Sequence, residues 1–166
     1  MKYIGSQNFG QHPKNTVGIL ITNLGTPAAP TKTALKIYLR EFLSDPRVIE
    51  IPRIVWWFIL NFIILNIRPA RSAEAYSTVW TEEGSPLLVN TRNQTEGLKN
   101  ALSCKYGDDV VVDFGMRYGE PSIESAIKEL ESIGIQKLLV LPLYPQYSGP
   151  TTGSTFDAIA KFFVKQ

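Results

Sequence analysis

Three apolar runs in this chain each lead into a loop whose residue types suit ligand binding. Residues 17–23 (VGILITN) lead into LGTP, residues 110–115 (VVVDFG) into MRYGEP, and residues 138–143 (LLVLPL) into YPQYSGPTTGS. The runs are short, and segments with helical periodicity separate them, which is typical of parallel strands in an α/β sheet. Ligands of such sheets bind outside the carboxyl ends of the strands, so we expect the three loops to form the functional edge.

The second and third loops carry side chains that suit a flat ligand with carboxylates. Arg117 could pair with a ligand carboxylate, or it could form a salt bridge with Glu120 or Glu124 in its own part of the chain. Aromatic rings on the same predicted edge could stack on a flat apolar ligand or pack beneath the loops, and these rings belong to Tyr118, Tyr144 and Tyr147.

A phosphate site is the other chemistry that these loops suggest. LGTP has one glycine and lacks the GxGxxG and GK[ST] spacings of nucleotide-binding loops. Residues 148–154 (SGPTTGS) precede a predicted helix, so their hydroxyls and amides could hold a phosphate or a carboxylate, or could only cap the helix. A generic α/β nucleotide-binding or phosphate-binding module therefore stays open.

Histidine and cysteine are almost absent from the sequence. His12 lies in the polar N-terminal stretch, where we expect a solvated side chain, and Cys104 is the single cysteine. These 166 residues thus offer no nitrogen or sulfur metal site and no His-dependent nucleophile. A lone cysteine fits a reducing, cytoplasmic compartment. A net charge of +2 without a dense basic block gives no indication of a nucleic-acid partner.

The remaining pattern predicts the elements that would position these loops. Helices are predicted over residues 31–42, 72–80, 85–107, 121–134 and 156–164, with caps at Thr31, Ser72, Ser85 and Gly134. The order is β-α, a helical insertion, then βαβα, which predicts a doubly wound α/β domain with a parallel sheet and helices on both faces. Residues 1–15 are expected to be a flexible tail, and residues 16–166 one domain. Three strands are few for such a domain, so we expect the chain to be one part of a larger unit.

Residues 54–67 (IVWWFILNFIILNI) form the most apolar stretch. At about 14 residues, the stretch is shorter than the roughly 20 residues of a membrane-spanning helix. A buried helix that caps the domain is one interpretation. The other is a surface helix or lip that touches a membrane face or a large apolar ligand. The flanking cations suit anionic headgroups or ligand carboxylates, and they are Arg47, Arg53, Arg68 and Arg71.

Several ordered motifs are shared with a known family. They are GILITNLGTP at residues 18–27, YLREFLSDPRVIEIPR at 38–53, Tyr76, GSPL at 84–87, GMRYGEPSIESA at 115–126 and LPLYPQYSGPTTGST at 141–155. On these residues the chain resembles the N-terminal half of the ferrochelatases from about residue 18 to 160, and its WW-containing insertion is most similar to the bacterial form.

The resemblance implies a Rossmann-like, chelatase-type fold of two similar α/β lobes around a porphyrin cleft, with this chain as the first lobe. The implied activity of the whole enzyme is that of a lyase in haem biosynthesis, which inserts Fe(II) into protoporphyrin IX to form protohaem. The resemblance gives five expected porphyrin-binding residues, which are Leu24, Tyr76, Ser85, Arg117 and Tyr118. Tyr147 is added as a sixth, because its ring could stack on a flat ligand.

The resemblance also sets what this chain is expected to lack. Some relatives have Tyr or Met at the position of Leu24, so iron ligation by Leu24 is not implied. The family's metal-site histidine and glutamate belong to the second half, so we expect no catalytic residue in this part and no activity from it alone. Gly149 stands where some relatives have a cysteine, so neither an iron–sulfur cluster nor another cofactor beyond the Fe(II) substrate is expected.

Three further expectations concern partners and alternatives. The unpartnered lobe would expose apolar surface and self-associate. A cytoplasmic location is expected, with peripheral contact to the inner membrane as an option. A non-catalytic tetrapyrrole-binding lobe remains the alternative that is nearest in chemistry.

Overall fold

The fold is built on a three-stranded parallel sheet. The computed structural model describes residues 16–165, so the predicted tail and His12 lie outside the described residues. The strands are β1 (Val17–Gly25), β2 (Val110–Tyr118) and β3 (Lys137–Pro142), in the order β2-β1-β3. β1 pairs in parallel with both neighbours, and Thr22 lies opposite Gly115 and Pro142. The predicted parallel strands are confirmed, and the first two extend into their loops.

Helices cover both faces of the sheet, as the doubly wound prediction requires. They are α1 (Lys32–Ser44), α2 (Arg53–Phe58), α3 (Leu65–Ser77), α4 (Pro86–Tyr106), α5 (Ile123–Ile133) and α6 (Ser154–Lys165). Two π-helical segments, Ile59–Ile64 and Gly149–Gly153, and a 3₁₀ turn, Gly107–Asp109, complete the described chain. On one face Leu20 packs with α5 and α6, and on the other Ile19 and Ile21 pack with α4. The predicted α/β fold class is confirmed.

Most helix ends follow from local sequence signals. The Thr31 side chain accepts a hydrogen bond from the Ala34 amide, and the Ser85 side chain accepts one from the Leu88 amide. Gly134 ends α5 in the left-handed conformation. These three caps are therefore confirmed. Pro121 does not open α5, because the N-cap is Ser122 and the helix begins at Ile123.

The predicted cap at Ser72 is wrong, because Ser72 lies inside one continuous helix, Arg53–Ser77, which we call the long apolar helix. Its middle widens into the π-helical segment Ile59–Ile64, where the Leu65 amide donates to the Leu60 carbonyl. This widening precedes Pro69, which would remove a hydrogen bond from a regular α-helix. No side-chain capping bond forms at the start of α3, since the helix does not begin anew there.

The long apolar helix buries one side and exposes the other. Trp56, Leu60 and Leu65 pack with α1 in one core cluster, and the Trp56 indole N–H donates to the Leu43 carbonyl at 2.6 Å. The helix has 25 residues, and an 18-residue stretch of it has a mean hydropathy of 1.2, so it is long and apolar enough to cross a bilayer by length and composition alone. The prediction that this helix is too short to span a membrane counted only the apolar run, residues 54–67. The buried stripe on α1 is typical of an amphipathic surface helix.

Candidate functional site

The carboxyl ends of β1 and β2 meet at very short range. Gly25 has φ +105°, and a Cβ there would lie 1.7 Å from the Tyr118 carbonyl oxygen. Gly119 has φ +81°, and a Cβ there would lie 2.5 Å from the Thr26 carbonyl oxygen. Both positions therefore require glycine on steric and conformational grounds. The single glycine of LGTP serves this close backbone contact at the predicted functional edge.

A buried carboxylate at this edge joins three distant segments. Asp45 follows α1, is 7% exposed, and accepts hydrogen bonds from Arg117 Nη2 at 2.7 Å and from the Tyr118 hydroxyl at 2.7 Å. The Ser154 hydroxyl at the start of α6 donates to the same carboxylate oxygen. The second oxygen accepts from the Arg47 amide at 2.7 Å. We call Asp45, Arg117, Tyr118 and Ser154 the Asp45 cluster.

The electrostatics of the Asp45 cluster favour an ionised carboxylate. Burial raises the pKa of Asp45, but the hydrogen bonds from Ser154, Tyr118 and the Arg47 amide, together with the Arg117 charge, outweigh burial and hold the pKa below its ordinary value. Burial also raises the pKa of the Tyr118 phenol, so this hydroxyl remains a hydrogen-bond donor at neutral pH. The cluster therefore carries one compensated ion pair inside the domain.

The Arg117 guanidinium forms hydrogen bonds with other groups of the protein. Its Nε donates to the Ser154 carbonyl at 3.0 Å and to the Ser154 hydroxyl at 2.6 Å, and its guanidinium carbon lies 4.4 Å from the centre of the Tyr118 ring. Its ion partner is Asp45, and neither Glu120 nor Glu124, which the sequence offered, takes that place. Tyr118 is 0% exposed, and its ring packs edge-on against the ring of Phe42, with 5.1 Å between the ring centres.

Two other predicted site residues lie on the same core cluster as Tyr118. Leu24 and Tyr76 are both half-buried and pack against that cluster. Tyr38 links them, because its hydroxyl donates to the Gly25 carbonyl at 3.2 Å, and burial, followed by the nearby Tyr76 phenol, raises the pKa of Tyr38. The structure thus brings Leu24, Tyr76 and Tyr118 to one region at the end of β1.

The last two predicted residues stand apart from that region. Ser85 is buried at the start of α4, where it caps the helix. Tyr147 lies in the loop after β3 and is 73% exposed. The Tyr147 ring is therefore open to a ligand, while the Ser85 hydroxyl already has a role in the fold.

Buried hydroxyls without a hydrogen-bond partner also collect at this edge. Within residues 16–165 they belong to Thr22 and Thr26, and the buried hydroxyls of Tyr144 and Thr155 have only each other as a near partner. Thr22 and Thr26 lie at the end of β1, Tyr144 follows β3, and Thr155 lies in the first turn of α6. In the same part of the chain, no three His, Cys, Asp or Glu side chains come together in a way that could hold a metal ion. The interior of this edge is therefore lined by polar groups.

Sequence reasoning missed Asp45 and Ser154. The first predicted helix, residues 31–42, ends before Asp45, and residues 148–154 were interpreted as an anion loop or a cap. The partners of Asp45 lie 72, 73 and 109 positions away, so no local spacing shows the cluster. The available signal was that both residues lie in motifs shared with the family, Asp45 at residues 38–53 and Ser154 at residues 141–155.

Comparisons with known proteins agree on one family. The family model described as Ferrochelatase matches residues 16–166. A curated Ferrochelatase from Pseudoalteromonas atlantica is 60% identical over 99% of this chain and 46% of its own length. One from Alcanivorax borkumensis is 63% identical over 99% and 48%, and Ferrochelatase 2 from Shewanella oneidensis is 55% identical over 92% and 46%. The chain spans about half the length of the curated relatives it matches.

Proposed function

This chain belongs to the ferrochelatase family, and on that premise we propose that it forms the porphyrin-cleft lobe of an enzyme that inserts Fe(II) into protoporphyrin IX to give protohaem. The observation that carries the proposal, beyond family membership, is the exposed apolar side of the long apolar helix, whose buried side packs in the core cluster that Leu24 and Tyr76 also contact. A porphyrin is a wide apolar disc with two carboxylates, and such a ligand needs apolar walls and a few placed polar groups.

The long apolar helix offers a large apolar surface between cations. Its exposed apolar side chains are Ile54, Val55, Trp57, Phe58, Phe62, Ile63 and Ile67. The rings of Trp57, Phe58 and Phe62 contact one another at 5.1–6.0 Å between centres. Arg53, at the start of the helix, and Arg68, after the apolar run, are both exposed. This arrangement supports a lip that takes a dicarboxylic porphyrin or lies on an anionic bilayer surface.

We assign porphyrin contact first to the predicted residues that keep accessible surface. These are Leu24 near the end of β1, Tyr76 in the long apolar helix and Tyr147 in the loop after β3. Ser85, Arg117 and Tyr118 were also predicted to bind the porphyrin, and only the family resemblance supports that role for them. Their side chains already bind protein groups, so we place them around the cleft, where they shape its wall.

Iron is the substrate in this proposal. Metal insertion needs ligands that deliver the cation and a base for the pyrrole protons, and we expect the family's histidine and glutamate outside residues 1–166 to supply them. We propose no iron–sulfur cluster for this part, because Gly149 cannot provide the cysteine ligand that some relatives have. The complete protein is proposed to be cytoplasmic, with the long apolar helix as the point of peripheral membrane contact.

Haem formation by the complete reading frame tests the proposal. Purified protein, anaerobic Fe(II) and protoporphyrin IX should give protohaem faster than the same mixture without protein. Failure to form haem or to bind porphyrin, combined with tight binding of a nucleotide, would favour the phosphate-binding alternative. Porphyrin binding without any turnover would favour the non-catalytic tetrapyrrole-binding lobe.

A further inference from the structure

Asp45 connects the parts of the chain that must keep their relative positions at the sheet edge. Its carboxylate lies at the end of α1 and receives donors from the end of β2 and the start of α6. The cluster borders the core that includes Tyr118, Leu24 and Tyr76. A shift of any one segment would therefore move the surface that the proposed porphyrin contacts.

Protein groups occupy one edge of the Arg117 guanidinium. The Nε and Nη2 atoms form one of the two edges through which a guanidinium can bind a carboxylate with two hydrogen bonds, and here they bind Ser154 and Asp45. The Arg117 side chain is 19% exposed. That remaining surface lines a cavity of about 260 Å³ between α5 and α6, together with Glu41, Glu124 and Lys161.

This cavity does not suit a porphyrin. Pockets for drug-sized ligands measure about 300–1,000 Å³ and are mainly apolar. The cavity beside Arg117 is smaller, contains both acidic and basic groups, and lies on the side of the sheet that α5 and α6 cover. Tyr118 has no exposed surface at all. Tyr118 is therefore closed to a macrocycle, and Arg117 keeps only the remaining surface beside this cavity.

We propose that Asp45 is a positioning residue of the porphyrin cleft, which holds Arg117 and Tyr118 as internal supports so that they shape the cleft without binding the porphyrin carboxylates. The inference rests on the proposed function. Removing one partner of a buried ion pair leaves the other charge uncompensated, whereas removing both avoids that penalty. The effects of Asp45→Asn and Arg117→Gln should consequently be coupled.

Protoporphyrin IX and its dimethyl ester separate support from contact. Both probes have the same apolar disc, and only the first has free carboxylates. In the complete protein, Arg117→Gln should weaken binding of both probes by the same factor, about tenfold, so that the ratio of the two Kd values stays at the wild-type value. Asp45→Asn should do the same, and the double variant should bind both probes at least as well as either single variant.

Asp157→Asn is the matched control. It removes a carboxylate from the exposed ion pair with Arg47, close to the start of α6, and should leave both Kd values unchanged. Tyr118→Phe removes one hydroxyl from the cluster and keeps the ring, so it gives a folded variant if Arg117→Gln does not fold. It should also shift both Kd values together.

Different results separate failure of this inference from failure of the proposed function. If Arg117→Gln loses affinity for the free acid alone, while Asp45→Asn does not, Arg117 is a carboxylate ligand and the positioning role is wrong. Unchanged binding of both probes in folded Asp45→Asn also overturns it. If the wild-type protein binds neither probe, the proposed function fails, and the cleft that Asp45 is said to position does not exist.

Discussion

Replacing two exposed side chains of the long apolar helix should weaken ligand or membrane binding without unfolding the protein. Phe62 is 64% exposed and Ile63 is 51% exposed. Full burial of such a side chain contributes about 1.5–3 kcal/mol, so covering the exposed part contributes roughly 1 kcal/mol each. Serine at both positions should therefore weaken binding by about 2 kcal/mol, which is about 30-fold in Kd. Surface substitutions of this kind change the free energy of unfolding by only about 0.5 kcal/mol each.

Leu60→Ala in the same π-helical segment is the matched control. Leu60 is 3% exposed and packs on α1, so its truncation should lower the free energy of unfolding by about 2–5 kcal/mol. Its folded fraction should bind protoporphyrin, or vesicles with anionic headgroups, as the wild type does. Porphyrin fluorescence, vesicle sedimentation and denaturant midpoints give the three quantities. If the Phe62/Ile63 double variant instead loses stability and keeps wild-type affinity, the long apolar helix is not a binding lip.

Three shorter predictions concern pH, glycine and assembly. Because the Asp45 pKa is lowered in the folded state, its stabilisation is complete above the unfolded pKa of about 3.9 and is lost as pH falls through the folded value. The difference in denaturation midpoint between wild type and Asp45→Asn should thus shrink below about pH 4, and a constant difference would contradict an ionised Asp45. Gly25→Ala should cost about 2–6 kcal/mol from backbone strain and overlap with the Tyr118 carbonyl, whereas Gly97→Ala, in an open helical position, should stabilise by about 0.5–1 kcal/mol. Residues 1–166 alone should self-associate in sedimentation and bind a hydrophobic dye, and a monomer without dye binding would speak against an unpartnered apolar surface.

The sheet was predictable because its signals are local. Three short apolar runs separated by helical periodicity gave all the strands, and Ser85-Pro86 and Gly134 gave helix ends through their own backbone chemistry. The break at Ser72 was predicted wrongly because a serine before AEAY looks like a cap. Packing of the long apolar helix on α1 overrides that preference, and the π-helical segment precedes Pro69 without a break.

The Asp45 cluster was not predictable because its members are brought together only by the fold. Arg117 was expected to pair with a ligand or with a glutamate near it in sequence, and its ion pair lies 72 positions away. The Tyr118 ring was expected either to stack on a ligand or to pack beneath the loops. Its hydroxyl can instead be fully buried because it donates a hydrogen bond to the Asp45 carboxylate. Exposure after a strand end cannot be inferred from residue type when the neighbouring loops are themselves long and structured.

Metal insertion into protoporphyrin by the complete protein and by residues 1–166, measured side by side, tests the central claim most directly. The claim is that this chain supplies porphyrin-cleft structure and that the metal-inserting groups lie elsewhere. Anaerobic assays with Fe(II), repeated with Zn(II), at equal protein concentration should show turnover by the complete protein and only the uncatalysed rate with residues 1–166, whose folding is checked by circular dichroism. Turnover by pure residues 1–166, or none by the complete protein, would contradict the account.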